Sequence, residues 1–176
     1  MQKEVFRKQC LHQLKKRMKR STYAKDKKIQ QALYAYIVKQ KAMRIMLYLP
    51  LKSEVNLYPL ILRLRKEKRK LYVPFMEGKS FRVVKYRLPL EKKQFGIKEP
   101  KKSTQYREKK IDIAIVPIVG MDVTQRRVGF GKGMYERFFE KEHHHIAEVL
   151  FVARSLCYCH HVITDAYDVK ADRVYV

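Results

Sequence analysis

Residues 111–139, IDIAIVPIVGMDVTQRRVGFGKGMYERFF, constrain the fold more than any other stretch of the chain. From Ile111 to Val119 the residues are apolar except for Asp112, a pattern that predicts a strand buried on both faces. A polar loop with Arg126 and Arg127 follows, then Gly129-Phe130-Gly131-Lys132-Gly133, then a helical pattern from Met134. A strand, a glycine loop and a helix N-terminus in succession make an anion site. Glycines let backbone N–H groups approach the anion, and the unpaired amides of the first helical turn point at it. Arg126, Arg127 and Lys132 add full positive charge. The loop is not a Walker A motif, because the GxxxxGK[ST] spacing is absent, and not a dinucleotide fingerprint, because GxGxG lacks the last interval. Taken alone, it also fits a tight turn carrying solvated arginines.

A chain of 176 residues with 46% apolar content predicts one globular domain spanning 1–176 with a real core. Residues 1–20 are basic and amphipathic without an apolar leader segment, and no apolar stretch reaches bilayer length. A cytoplasmic monomer without a membrane partner is therefore expected. Cys10, Cys157 and Cys159 do not predict a disulfide framework. Cys157-Tyr-Cys159-His160-His161, with His143-His144-His145 upstream, admits a metal reading. The C-x-C spacing is tighter than structural zinc sites use, and surface histidines beside a part-buried cysteine are the plainer expectation. A formal net charge of +24 suits nucleic acid, an acidic membrane or a polyanionic small substrate. The lysines are spread over nearly every segment and no nucleic-acid signature accompanies them, so a generally basic surface is expected rather than a specific nucleic-acid site.

Phe6, Cys10, Leu14 and Met18 recur every four positions and predict a helix from Lys3 to about Arg20. Ser21 or Thr22 can cap a second helix to about Gln40, with Leu33 and Ile37 inward. Arg44 to Leu49 reads as a strand stopped by Pro50, and Leu57 to Glu67 as a helix. Lys70 to Phe75 and Ser80 to Arg87 read as strands around a Glu77-Gly78 turn. A charged loop is expected from Pro89 to Arg107, a buried strand from Ile146 to Ala153, and an edge strand from Arg173 to Val176. Strands alternating with helices predict an α/β domain with a largely parallel sheet, whose ligands collect at the carboxyl ends of strands.

Five separated motifs resemble the 5-formyltetrahydrofolate cyclo-ligase family, over Lys3 to Asp172. They are Lys3-Glu-Val-Phe-Arg7, Leu47-Tyr-Leu-Pro50 through Glu54-Val55, Tyr72-Val-Pro74, Phe95-Gly-Ile-Lys-Glu-Pro100, and the glycine loop through Arg137. The tail Asp165-Ala-Tyr-Asp168-Val-Lys-Ala-Asp172 is similar to the family's closing acidic pattern. The chain departs from that pattern at Met134, where an aromatic is usual, at Glu136, where aspartate is usual, and at Arg154 and Cys157, which replace a tyrosine and a glutamine.

The resemblance implies an α/β fold of the phosphosugar-isomerase and CoA-transferase-like type, with a central mixed sheet flanked by helices. It implies ATP and Mg²⁺ as cofactors and 5-formyltetrahydrofolate, polyglutamylated or not, as substrate. Lys3, Arg7, Gly129, Phe130, Gly131, Lys132, Gly133, Met134, Tyr135, Glu136 and Arg137 are then the ATP-binding residues, with Arg127 and Lys132 catalytic. Leu49, Glu54, Tyr72 and Tyr135 hold the folate, Glu54 by accepting from the paired donors of the pterin and Tyr72 by stacking. Glu136 and Asp172 are the implied metal ligands. The reaction implied is ATP-dependent closure of 5-formyltetrahydrofolate to 5,10-methenyltetrahydrofolate with release of ADP and phosphate. The competing expectation is a basic nucleic-acid-binding protein on a catalytically degraded version of the same fold.

Overall fold

The computed structural model describes residues 2–17, 21–93, 96–101 and 110–176. Its helices are α1 (Lys3–Arg17), α2 (Tyr23–Lys39), α3 (Tyr58–Lys66) and α4 (Met134–Glu142), the last followed by a 3-10 turn at His143–His145. Its strands are β1 (Arg44–Met46), β2 (Lys70–Glu77), β3 (Ser80–Lys85), β4 (Leu90–Lys92), β5 (Lys98–Pro100) and β6 (Ile111–Pro117). They continue with β7 (Gly120–Asp122), β8 (Arg127–Val128), β9 (Ile146–Val152), β10 (Tyr158–Cys159) and β11 (Arg173–Tyr175).

Six strands form the central sheet in the order β11-β9-β6-β1-β2-β3. Every neighbouring pair is parallel except the β2–β3 hairpin. This is the mixed, mostly parallel α/β sheet that the alternating pattern predicts, with β11 at its edge. Alternation along the strands divides the core between two faces. Ile45, Leu47, Leu71 and Val73 pack with Leu33 and Ile37 of α2 and Leu60, Ile61 and Leu64 of α3. Met46, Tyr72, Ala114 and Val116 pack on the other face with Phe138 and Phe139 of α4. There Phe81 of β3 stacks on Phe138 with centroids 4.5 Å apart. Both Leu33 and Ile37 are fully buried, as their spacing predicts.

A second sheet, β10-β7-β8, leaves the end of β6 and receives α1 through Phe6, Cys10, Val119 and Val128. Phe6 and Cys10 are buried and Leu14 is half-buried; Met18 of the expected face lies outside the described residues. Cys10 and Cys157, 147 positions apart, form a disulfide with Cα atoms 5.7 Å apart. The expectation that the three cysteines form no disulfide framework did not include this single bond. Spacing along the chain could not show that α1 lies against the segment after β9. The free thiol of Cys159 is buried. Among the described residues no group of three or more His, Cys, Asp or Glu side chains could hold a metal ion, and no helix is long and apolar enough to cross a membrane.

Three local details differ from expectation. Thr22 occupies the position before α2 with near-helical backbone angles and makes no side-chain cap bond. The first strand ends at Met46, although the Leu47 amide still donates to the Tyr72 carbonyl at 2.9 Å. The supposed charged loop instead pairs β4 with β5, and buried Glu99 pins this ribbon to β2 by accepting the Met76 amide at 2.8 Å. Phe95 and residues 102–107 of that segment lie outside the described residues.

Asp122 locks the second sheet to the chain after β10. It is fully buried, and its carboxylate accepts the Thr124 amide and hydroxyl at 2.9 and 2.6 Å. It also accepts the Ile163 amide at 2.9 Å and the Thr164 amide and hydroxyl at 2.9 and 2.7 Å. Burial opposes the charge, but these five donors outweigh it and hold the carboxyl well below the usual range. A depressed folded-state pKa adds stability above the unfolded value and loses it as pH falls. Asp122→Asn should therefore cost roughly 2–4 kcal/mol in urea unfolding at neutral pH, and the gap to wild type should narrow as the pH drops below about 4.

Candidate functional site

The parallel strands bring their carboxyl ends to one edge of the central sheet, where β1, β2, β6 and β9 give way to loops. There the chain after β1 and the glycine loop after β8 enclose a cavity of 290 Å³. Tyr48, Leu49, Leu51, Pro74, Met76, Ile97 and Phe130 give it mostly apolar walls, and Met134 and Tyr135 close it from α4. Besides the hydroxyls of Tyr48 and Tyr135, an acid and three basic side chains of the described residues reach the lining: Glu54, Lys98, Arg127 and Lys132. A largely apolar cleft with a few placed polar groups is the usual form of a site for a flat organic ligand. Glu54 folds back so that its carboxylate accepts the Leu51 amide at 2.8 Å. Burial pushes its carboxyl up to about 7, against the Leu51 hydrogen bond and the charges of Arg127 and Arg154. Burial and the Glu54 carboxylate also push the Tyr135 hydroxyl far above its ordinary value.

A second cleft of 400 Å³ lies on the other side of the glycine loop. Its lining includes Lys3 and Arg7 of α1, Gly129, Gly131 and Gly133, Glu136 and Arg137 of α4, and Asp168. Gly131 and Gly133 have φ of +94° and +62°, left-handed angles that a side chain would strain. Arg7 donates to the Gly129 carbonyl at 3.0 Å, and Lys3 donates to Asp168 while lying 3.6 Å from Asp165. One turn apart on α1, these two cations reach the loop from one side, as their four-residue spacing predicts.

Arg127 lies between the two spaces. It is 4% exposed, and its Nε donates to the Pro117 carbonyl at 2.9 Å while a terminal nitrogen donates to Glu136 at 2.7 Å. Its guanidinium carbon lies 4.6 Å from the Tyr135 ring centroid. A Cβ on Gly129 would come within 2.2 Å of this guanidinium, so a side chain there would force the fork to move. Burial opposes the Glu136 charge, but the Arg127 guanidinium holds that carboxyl below its usual range.

The structure thus brings together Lys3, Arg7, the three glycines, Glu136 and Arg137 around one cleft, and Leu49, Glu54 and Tyr135 around the other. Phe130, Lys132 and Met134, expected at ATP, line the apolar pocket instead. Arg137 is turned toward the protein, donating to the Lys79 carbonyl at 2.8 Å and to the Lys132 carbonyl, so it braces the loop. Two expected residues fall elsewhere. Tyr72 is 2% exposed among the side chains packed under α4: it shares the sheet face of Pro74 and Met76, but it lies further back along β2 than the pocket those two line. Asp172 accepts the Val149 amide at 2.7 Å and ties the tail to β9. The tail acid in the cleft is Asp168, three residues after Asp165 and level with Lys3. Tyr167, whose ring lies 5.5 Å from the Lys3 ammonium at the cleft edge, also escaped sequence reasoning.

A family model described as the 5-formyltetrahydrofolate cyclo-ligase family matches residues 1–176. The chain belongs to this family. It is 30% identical over 142 residues to a 5-formyltetrahydrofolate cyclo-ligase of Mycoplasma pneumoniae, covering 78% of this chain and 77% of the relative. A Haemophilus influenzae protein of the same name is 29% identical over 108 residues, 57% and 58% of the two chains. Among solved structures, the Aquifex aeolicus 5,10-methenyltetrahydrofolate synthetase superposes with a TM-score of 0.80 at 30% identity, over 99% of this chain and 89% of that one. A Mycoplasma pneumoniae 5,10-methenyltetrahydrofolate synthetase gives 0.74 at 26% identity, over 99% and 98%. The family resemblance carried by the five motifs and the fold it implied are both borne out.

The raised pKa of Glu54 has a stability signature. The folded state keeps this proton above the unfolded value, so ionising Glu54 costs stability as pH rises from about 4.5 to about 7. Glu54→Gln cannot ionise. Its melting temperature should gain on wild type between pH 5 and pH 8, measured by thermal unfolding in parallel buffers.

Proposed function

We propose that the protein is an ATP-dependent ligase that converts 5-formyltetrahydrofolate to 5,10-methenyltetrahydrofolate, releasing ADP and phosphate. The observation that carries this reading is the pairing of two spaces across one buried arginine. A cationic glycine-loop cleft suits the polyphosphate, and an apolar pocket ending in a carboxylate suits a pterin. Family membership and the names of the relatives support the same reaction.

A formamide oxygen is a poor leaving group. Transfer of the γ-phosphoryl to it, with ADP leaving, turns it into a phosphate ester. N10 then attacks the formyl carbon, the C–O bond breaks, and phosphate departs as the ring closes. Such transfer asks a protein mainly for positioning and charge neutralisation. Lys3, Arg7 and the loop amides hold the phosphates, while Arg127, and Lys132 from the pocket side, offset charge at the transferred group. Glu54 accepts from the pterin donors, with Leu49 and Tyr135 against the ring. Lys98, which also lines the pocket, suits the anionic glutamate tail of the substrate. Mg²⁺ borne on phosphates asks for one or two carboxylates. Glu136 and Asp168 line the cleft and fit that demand; when bound, the ion would neutralise phosphate charge. The nucleic-acid reading accounts for the +24 charge but not for the glycine loop or the Glu54 pocket.

Mixing the protein with ATP, Mg²⁺ and 5-formyltetrahydrofolate should give growing methenyltetrahydrofolate absorbance. Lys3→Ala and Arg7→Ala should each raise the KM for ATP about ten- to a hundred-fold, the worth of roughly 1.5–3 kcal/mol per lost charge-assisted contact. The KM for folate should stay near wild type. Absence of product, or an unchanged KM for ATP in both variants, contradicts the assignment.

A further inference from the structure

The loop that carries Glu54 is held from outside the pocket by one buried ion pair. Arg154, just after β9, places Nε 2.7 Å from one oxygen of Asp26 on α2 and a terminal nitrogen 2.8 Å from the other. Its remaining terminal nitrogen donates to the Lys52 carbonyl at 2.8 Å. Asp26 in turn accepts the Asn56 amide at 3.0 Å. The pair thus grips the loop on both sides of Glu54, while the Leu51 amide and the Glu54 carboxylate close it inside. Glu54 and Arg154 also line one narrow space together, beneath Gln13 and Leu14 of α1.

We infer that Arg154 is a positioning residue for the folate pocket: its guanidinium joins Asp26 to the Glu54 loop and presents a fixed positive charge to the Glu54 carboxylate. The inference rests on the folate reading given above. A role in stability alone accounts poorly for the pair. The side chains of Arg154 and Asp26 are 12% and 6% exposed, and well-packed apolar residues commonly equal or exceed a buried ion pair in stability. A fork that satisfies two carboxylate oxygens and one carbonyl fixes direction as well as distance, which an ammonium cannot reproduce.

The groups around Glu54 set the sign of the electrostatic effect. Arg127 of β8 and Arg154 favour its ionised form, and burial opposes it. The hydroxyls of Tyr48 and Tyr135 are pushed upward in part by the same carboxylate. Lys98 of β5 and Lys132 of the glycine loop share the pocket lining. Removing the Arg154 charge therefore moves the Glu54 titration up, while shortening Arg154 to lysine keeps the charge and loses the grip.

The test combines two readouts. Carboxyl ¹³C NMR of the ligand-free protein, with Glu54 assigned by Glu54→Gln, follows the Glu54 midpoint in wild type, Arg154→Met and Arg154→Lys. Steady-state assays give KM for 5-formyltetrahydrofolate and for ATP. We expect an upward shift of the midpoint in Arg154→Met and a wild-type midpoint in Arg154→Lys. Both variants should raise the folate KM on the order of ten- to a hundred-fold, the usual effect of a misplaced binding group, with the ATP KM within about twofold. An unmoved midpoint in Arg154→Met, or equal rises in both KM values, overturns the inference. Should Arg154→Met fail to fold, an unchanged folate KM in Arg154→Lys overturns it. A wild type that forms no product sinks the folate reading, while the titration still decides whether Arg154 governs Glu54.

Discussion

The arrangement depends on one buried cation. Arg127 leaves β8 with its guanidinium covered by the Tyr135 ring, fixed by the Pro117 carbonyl and neutralised by Glu136. A buried charge must be paired and hydrogen-bonded or it costs several kcal/mol, so each of these partners is held in place by Arg127 as much as Arg127 is held by them. Pro117 ends the central β6, Glu136 and Tyr135 open α4, and a side chain on Gly129 would displace the guanidinium. The end of the central strand, the glycine loop and the following helix are thereby locked into one unit. Two spaces form on either side of it.

Elements far apart in sequence complete those spaces by packing. The helix α1 reaches the glycine loop because Phe6 and Cys10 bury against Val119 and Val128 of the second sheet. That contact, with the disulfide to Cys157, sets Lys3 and Arg7 beside Gly129 and Asp168 across more than a hundred positions of sequence. On the pocket side, Asp26 and Arg154 hold the loop after β1 from beneath. Burial pushes the pocket carboxyl up to about 7, and a ligand that brings paired donors would favour its ionised, accepting form.

Periodicity carried most of the fold. The apolar run at 111–119, the every-fourth pattern of α1 and the inward Leu33 and Ile37 are local signals, and the elements form where they point. The glycine loop was legible because three glycines at alternate positions between a strand and a helix are a local pattern, and Gly131 and Gly133 do take left-handed φ values. What escaped reading was long-range. Tyr72 was misplaced because sequence shows its face but not how far along β2 the pocket reaches: Pro74 and Met76 of the same face line it, while Tyr72 is covered by α4. Asp168 was passed over for Asp172 because the two acids are four positions apart in a tail without periodicity. Lys132 and Phe130 belong to the pocket, because the loop has two sides and sequence gives no side. The Cys10–Cys157 bond and the Arg154–Asp26 pair join elements 147 and 128 positions apart, and a single sequence offers no trace of such pairs.

The central claim is that Arg127 serves both spaces at once. Calorimetric titration of wild type and Arg127→Lys with a non-hydrolysable ATP analogue and, separately, with 5-formyltetrahydrofolate tests it directly. Lysine keeps the charge but cannot hold the Pro117 carbonyl and Glu136 together in a fork. The account predicts that Arg127→Lys weakens both ligands, each by about tenfold or more. Wild-type affinity for either ligand in Arg127→Lys would contradict it.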